Sequence, residues 1–307
     1  MGDIILKTKQ LTKKYGKDFA VNNVDLELKQ GDIYGLVGKN GAGKTTILRM
    51  ISGLSIPTSG EIELFNETSK AGLNNSRAKL GCMIETPSFF KYLSAKKNLE
   101  YYRLQRGVVE KECVDKAIKM VGLEDAGKKK FKNFSLGMKQ RLGLALAIMT
   151  SPDLLILDEP SNGLDPTGII ELRELLLKFN RERNTTIIIS SHILSELSQL
   201  ANTYGFINKG EFVEQISAKN LEEKCRRHLL IKVDDTSKAT VIIENKLGSM
   251  EYEVLNRNEI RLYQHIDTPE RVSEALINNG IKLFSINNSG VNLEEYFVNL
   301  IGGNKHD

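Results

Sequence analysis

Residues 38–46 read GKNGAGKTT, and no other stretch limits the possible folds of this chain as tightly. The apolar run GDIYGLV enters it, and beyond Lys44 the residues Ile47, Leu48, Met50, Ile51 and Leu54 recur at helical spacing until the breakers between Gly53 and Pro57. A strand that passes through a glycine-rich turn straight into a helix is the repeating unit of layered α/β proteins. The spacing G-x-x-x-x-G-K-T also carries chemistry. Glycines let successive backbone amides turn inward around an anion, Lys44 adds a compact positive charge, and the Thr45 hydroxyl is placed to reach Mg²⁺. The β- and γ-phosphates of a nucleotide satisfy this loop.

Two further apolar runs, LLILD (154–158) and TTIIISS (185–191), flank a helical stretch from Pro166 to Phe179. Unbroken runs of this type predict buried parallel strands covered by helices on both faces, so the core is α/β. Asp158 emerges at the end of the first run, where a carboxylate can hold Mg²⁺ through water. Glu159 follows at once, in place to polarise a water for attack on a γ-phosphate. Together with the phosphate loop, these carboxylates predict a nucleotide hydrolase.

A third stretch, FSLGMKQRL (134–142), leads into Leu142, Leu144, Leu146 and Met149. It predicts a buried helix with Ser135 as its N-cap. Lys139 and Arg141 then fall in or near the first turn, where the helix dipole disfavours cations. A docked anion reverses that penalty, so the chain carries a second anion-binding helix start far from the first.

With LLILDEP just downstream, FSLGMKQRL resembles the signature sequence of ATP-binding-cassette (ABC) ATPases, and the family's remaining elements follow in order over residues 3–217. SNGLD (161–165) resembles the D-loop, and Asp165 ahead of Pro166 also suits a helix cap. His192 in IIISSHIL matches the switch histidine that contacts the γ-phosphate, and Tyr15 in LTKKYGK the aromatic that stacks on adenine, with Val21 beneath the base. The resemblance implies a P-loop ABC ATPase domain over 1–217, with a mixed sheet core, an antiparallel β subdomain and a helical subdomain near 88–150. It implies ATP and Mg²⁺ as cofactors: Asn40, Gly41, Ala42, Gly43, Lys44, Thr45 and Thr46 around the phosphates, Thr45 and Asp158 toward the metal, and Lys44, Glu159 and His192 as the catalytic groups. It further implies that Ser135, Gly137 and Asp165 serve the nucleotide of a second copy, so that a head-to-tail homodimer completes two sites.

One position departs from the family pattern. CMIETPSFF puts Glu85 where the family usually carries Gln. A full negative charge beside Asp158 and Glu159 predicts stronger metal attraction, and coupled titration where metal is absent. Glu85 is therefore a third expected metal ligand, and the expected link to a membrane permease through the helical segment behind it. Glu85 and SLGMKQRL together resemble the ATP-binding subunits of bacitracin-resistance and lantibiotic-immunity transporters. That resemblance implies a cytoplasmic ATPase held at the inner face of the membrane by a separate permease, which exports a peptide antibiotic or clears it from the membrane. The rival readings are a soluble ABC ATPase of translation or DNA repair and a module that senses ATP without turnover. The sequence has neither the coiled-coil insertion nor the second cassette of the former, and intact Lys44, Asp158, Glu159 and His192 argue against the latter.

Composition adds a few limits. A chain of 307 residues, 40% of them hydrophobic, can bury a full core in about two domains. The net charge of +4 is interspersed, and the densest basic run, Lys128 to Lys132, reads as a solvated turn, so no nucleic-acid partner is expected. Cys82, Cys113 and Cys225 lack metal-ligand spacing and fit a reducing cytosol. The N-terminus does not read as a signal peptide, and the longest apolar stretch, Leu142 to Met149, is far short of the ~20 residues of a membrane span. After Ser217 the motifs stop and a new alternation begins. It predicts strand 228–233, helix 236–247, strands 251–256 and 259–264, helix 268–279, strand 281–287 and helix 292–301. The order βαββαβ plus a helix predicts a small α+β, ferredoxin-like C-terminal domain over 218–307.

Overall fold

Two antiparallel strands, β1 (Ile4–Tyr15) and β2 (Asp18–Lys29), open the chain. Register shifts, one of them between Thr8 and Leu11, bend this ribbon without ending it. The computed structural model describes residues 3–85, 88–290 and 293–302. Its chain divides into two units, Met1–Ala218 and Lys219–Asp307.

In the first unit β3 (Ile33–Val37) leads to α1 (Lys44–Ser52), then β4 (Ser59–Leu64), α2 (Lys70–Arg77) and β5 (Leu80–Met83). A helical stretch follows, with α3 (Ala95–Gln105), α4 (Glu112–Met120) and α5 (Leu136–Ile148). The chain then returns to the sheet through β6 (Leu154–Asp158), α6 (Pro166–Arg183), β7 (Thr186–Ser191), the short α7 (Leu194–Leu197), β8 (Thr203–Asn208) and β9 (Glu211–Ser217). The described strands form one nine-stranded sheet in the order β4-β1-β2-β9-β8-β3-β7-β6-β5. Its β4-β1-β2 edge is antiparallel, whereas β3, β7, β6 and β5 run parallel. The apolar runs are central for the reason their composition suggests: all of β3 and β7 is buried, and so is β6 up to the half-buried Asp158.

Helix starts follow the capping rules. The Ser135 hydroxyl accepts from the Met138 N–H at the head of α5, and Asp165 accepts from the Gly168 N–H at the head of α6, with Pro166 in its first turn. α6 runs to Arg183, one turn beyond the Phe179 expected as its end.

The second unit begins within α8 (Ala218–Cys225), a helix the sequence pattern did not predict, and goes on through β10 (His228–Val233), α9 (Thr236–Leu247), β11 (Tyr252–Asn256), β12 (Glu259–Leu262), α10 (Pro269–Asn278), β13 (Leu283–Ser289) and α11 (Leu293–Gly302). Its four strands are antiparallel in the order β11-β12-β10-β13, the strand order of the ferredoxin-like βαββαβ fold. The expected start of the last helix at Asn292 lies outside the described residues. Leu229, Ile231 and Val233 of β10, with Ile260 and Leu262 of β12, face a core shared with Ala239 and Ile243 of α9 and Val272 and Leu276 of α10.

Candidate functional site

Parallel register assembles the site. Val37 pairs with Ser191, Asp158 with Ser190, and Met83 with Leu157, so β3, β7, β6 and β5 end together at one edge of the sheet. Ligands of open α/β sheets bind at such carboxyl edges. A cavity of about 410 Å³ lies there, walled by residues 40–46, Ala20, Met83, Glu85, Asp158 and Glu159, and by Leu136, Lys139, Gln140 and Asn162. Asn40, Gly41, Ala42, Gly43, Lys44, Thr45 and Thr46 are thus brought together in one wall. Gly43 has φ 109°, and a Cβ there would meet the Ala20 carbonyl oxygen at 2.5 Å, so only glycine fits the end of the loop.

Lys44 is 5% exposed, and its ammonium donates to the Gly38 and Lys39 carbonyl oxygens at 2.7 and 3.2 Å. The same Nζ lies 3.1 Å from Glu159 Oε1. The other Glu159 oxygen, Oε2, accepts from Asn162 Nδ2 at 2.5 Å and lies 3.2 Å from His192 Nδ1. Burial pushes the Glu159 carboxyl up, but the Asn162 hydrogen bond, Lys44 and His192 together hold it below the usual carboxylate range. Lys44 and Glu159 of the cavity wall therefore form one cluster with His192, which is not part of that wall.

Glu159 has φ 45°, a left-handed conformation that costs a non-glycine residue on the order of 1–3 kcal/mol. Ser190 anchors it: its Oγ accepts the Glu159 N–H at 3.0 Å and donates to Asp158 Oδ1 at 2.6 Å. The other Asp158 oxygen accepts from Thr45 Oγ1 at 2.8 Å. The sequence reading missed Ser190, whose only signal was its place beside His192 at the end of a buried strand. Thr45 and Asp158 converge with hard oxygen atoms, the donor type Mg²⁺ takes. Among the described residues no group of three His, Cys, Asp or Glu side chains is arranged to hold a metal. This suits an ion that completes its shell with phosphate oxygens and water.

Other expected residues lie elsewhere. Val21 is a correction: its side chain is fully buried, because the irregularity of β2 between Val21 and Val24, where Asn23 has φ 50°, turns Val21 into the same core as the alternating Val24, Leu26 and Leu28, and Ala20 is the residue that lines the cavity. Tyr15, at the end of β1, is 52% exposed with Lys13 Nζ 5.1 Å from its ring centre, and it is not part of the cavity wall. Glu85 does line the cavity, but its carboxylate pairs with Arg49 of α1, four residues beyond Thr45. Ser135, Gly137 and Asp165 line a separate, open depression of about 660 Å³ that also takes in Lys129 of the basic run. The helix α5 thus lines both cavities, since its Leu136, Lys139 and Gln140 belong to the wall of the first.

A family model described as ABC transporter matches residues 21–162. The bacitracin transport ATP-binding protein BcrA of Bacillus licheniformis is 44% identical over 97% of this chain and 98% of its own length. The lantibiotic transport ATP-binding protein SrtF of Streptococcus pyogenes is 45% identical over 74% of this chain and 99% of its own length. Among solved structures, the ATP-binding cassette MJ0796, a dimer in a post-hydrolysis state bound to ADP and Pi, superposes with a TM-score of 0.64 at 25% identity, covering 70% of this chain and 99% of that one.

Proposed function

The chain belongs to the ATP-hydrolysing subunits of ABC transporters, and on that premise we propose that it powers a separate membrane permease that exports a peptide antibiotic of the bacitracin or lantibiotic type, or clears it from the membrane. The observation that carries the catalytic part is the convergence of Lys44, Asp158, Glu159 and His192 at one strand edge. The names of the relatives carry the cargo.

In this reading the loop amides and Lys44 bind the β- and γ-phosphates of ATP. Thr45 and Asp158 would hold Mg²⁺, which would supply charge neutralisation at the phosphates. Glu159 takes a proton from the water that attacks the γ-phosphorus, and the bond to the bridging oxygen breaks to release ADP and phosphate. His192 keeps the Glu159 carboxylate aimed. Ser135, Gly137 and Asp165 close over the nucleotide of a second copy, a role supported by their shared depression away from the phosphate loop of their own chain. Glu85 joins the metal site once it leaves Arg49, and connects that site to the permease. The rings of Phe90 and Tyr101, 4.6 Å apart and each nearly half exposed in the segment that follows Glu85, support a permease-facing surface there. The permease holds the chain at the cytoplasmic face of the membrane.

The test is resistance in cells that express the chain together with a candidate permease. Wild type is expected to raise the inhibitory concentration of bacitracin or of a lantibiotic, and Glu159→Gln to abolish the gain. Equal susceptibility of both strains to both antibiotics removes the cargo assignment. ATP hydrolysis by the purified chain judges the catalytic roles separately.

A further inference from the structure

Glu159 is held by more than the two groups of the mechanism. Asn162 Nδ2 donates to its Oε2 at 2.5 Å, and the Asn162 carbonyl oxygen accepts from Gln140 Nε2 at 2.5 Å. Gln140 stands on α5, one turn beyond Ser135 and Gly137. Its Oε1 is buried with no hydrogen-bond partner, so the donor end alone orients the amide. The reverse orientation would set two carbonyl oxygens against each other. Asn162 itself sits in a tight turn, with its N–H on the Glu159 carbonyl oxygen at 3.2 Å and the Leu164 N–H on that of Ser161 at 3.0 Å. A pull on its carbonyl therefore moves the side chain that touches Glu159.

We infer that Gln140 and Asn162 are positioning residues that tie the Glu159 carboxylate to α5, the helix that offers Ser135 and Gly137 to a second copy. The inference rests on the proposed role of Glu159 as the base. Two hydrogen bonds span the distance between the half-site a chain gives away and the base it keeps. A small shift of α5, as docking at Ser135 and Gly137 would impose, reaches Glu159 through them. Closure over the twin's nucleotide and placement of the base in the same chain thus become one event.

Two near-isosteric variants of the full chain test the tie: Gln140→Glu and Asn162→Asp each lose the donor and keep the volume. Steady-state hydrolysis at saturating Mg²⁺ is expected to show kcat lowered about tenfold in each, with KM for ATP within about twofold of wild type. The double variant is expected to be no worse than the weaker single, because the two bonds act in series. Amide hydrogen exchange gives a second readout: Gln140→Glu should speed exchange at Asn162 and Leu164 and leave the buried amides of β6 unchanged. Turnover retained within about twofold in either variant, additive losses, or KM rising as kcat falls would each overturn the tie. Glu159→Gln run in parallel separates the two levels. If it is inactive while the other two variants are unaffected, only the tie fails; if it hydrolyses like wild type, the assignment of the base fails and takes the tie with it.

Discussion

The two units each cover a sheet with helices, and they do so with opposite strand arrangements. In the first, β3, β7, β6 and β5 are parallel and buried, and their carboxyl ends meet at one edge. In the second every strand pair is antiparallel, so successive ends leave in opposite directions. The difference decides where reactive groups gather. Parallel strands bring a helix start, a lysine, two carboxylates and a histidine to one sheet edge, and there the side chains become mutually dependent, as Glu159 between Lys44 and His192 shows. Antiparallel strands instead spread charge across a face. Lys232 pairs with Glu259 at 2.8 Å and Arg261 with Glu253 at 3.3 Å, ion pairs between neighbouring strands that contribute about 0–1 kcal/mol each when exposed. The first sheet concentrates chemistry, while the second is stabilised by its buried face.

The largest expected effect lies at the converging edge. Glu159→Gln should lower kcat by about 10²–10⁴ without moving the unfolding of the second unit. Chelation of Mg²⁺ should reduce hydrolysis to a similar floor, with recovery on adding the metal back, because Thr45 and Asp158 do not form a metal cage by themselves. The reciprocal change comes next. Ile231→Ala removes a fully buried side chain of β10 and should cost the second unit about 2–5 kcal/mol, read from denaturant unfolding. Hydrolysis should stay within about twofold. A large loss of turnover while that unit is still folded would break the division of labour. Ser135→Ala mixes both kinds of effect: loss of the cap should cost about 1 kcal/mol in the first unit, and the activity that depends on a second copy should fall as well.

How much was legible in the sequence follows the same division. Lys44, Thr45, Asp158 and Glu159 could be named because phosphate chemistry dictates their residue types and spacing, His192 only through the family resemblance, and β10 and β12 because one buried face imposes alternation. Ser190, Asn162 and Gln140 could not. Each contacts a residue that the motifs named or its neighbour, but their hydrogen bonds span up to 32 positions and depend on which strand ends lie side by side. Val21 shows the opposite error, a family role carried to a residue whose strand turns it inward. The ion pair between Arg49 and Glu85 was hidden for the same reason as Ser190, since α1 and the end of β5 meet only in the fold. The α8 helix had no long apolar period to announce it, as Leu221 is its only buried residue.

The smallest expected effect compares a helix cap from each unit. Asp235 caps α9, accepting the Lys238 N–H at 3.1 Å, and that backbone hydrogen bond, with the Lys238 charge nearby, holds its carboxyl below the usual aspartate value of 3.8. A group whose folded pKa is lowered stabilises fully above its unfolded value, and the stabilisation is lost as pH falls through the folded one. The urea midpoints of wild type and Asp235→Ala should therefore differ by a constant amount from neutral pH down to the ordinary aspartate range, then converge below it. Ser135 caps α5 with an uncharged hydroxyl, so the midpoint difference caused by Ser135→Ala should stay flat over the same window. Salt should trim only the part of the Asp235 effect that comes from the Lys238 ammonium, 3.4 Å away on the surface, and leave the bond to the amide. A difference for Asp235→Ala that grows on acidification would show that the carboxylate is not held by the helix start, and that the second unit does not use charge in the local, solvated way its open face suggests.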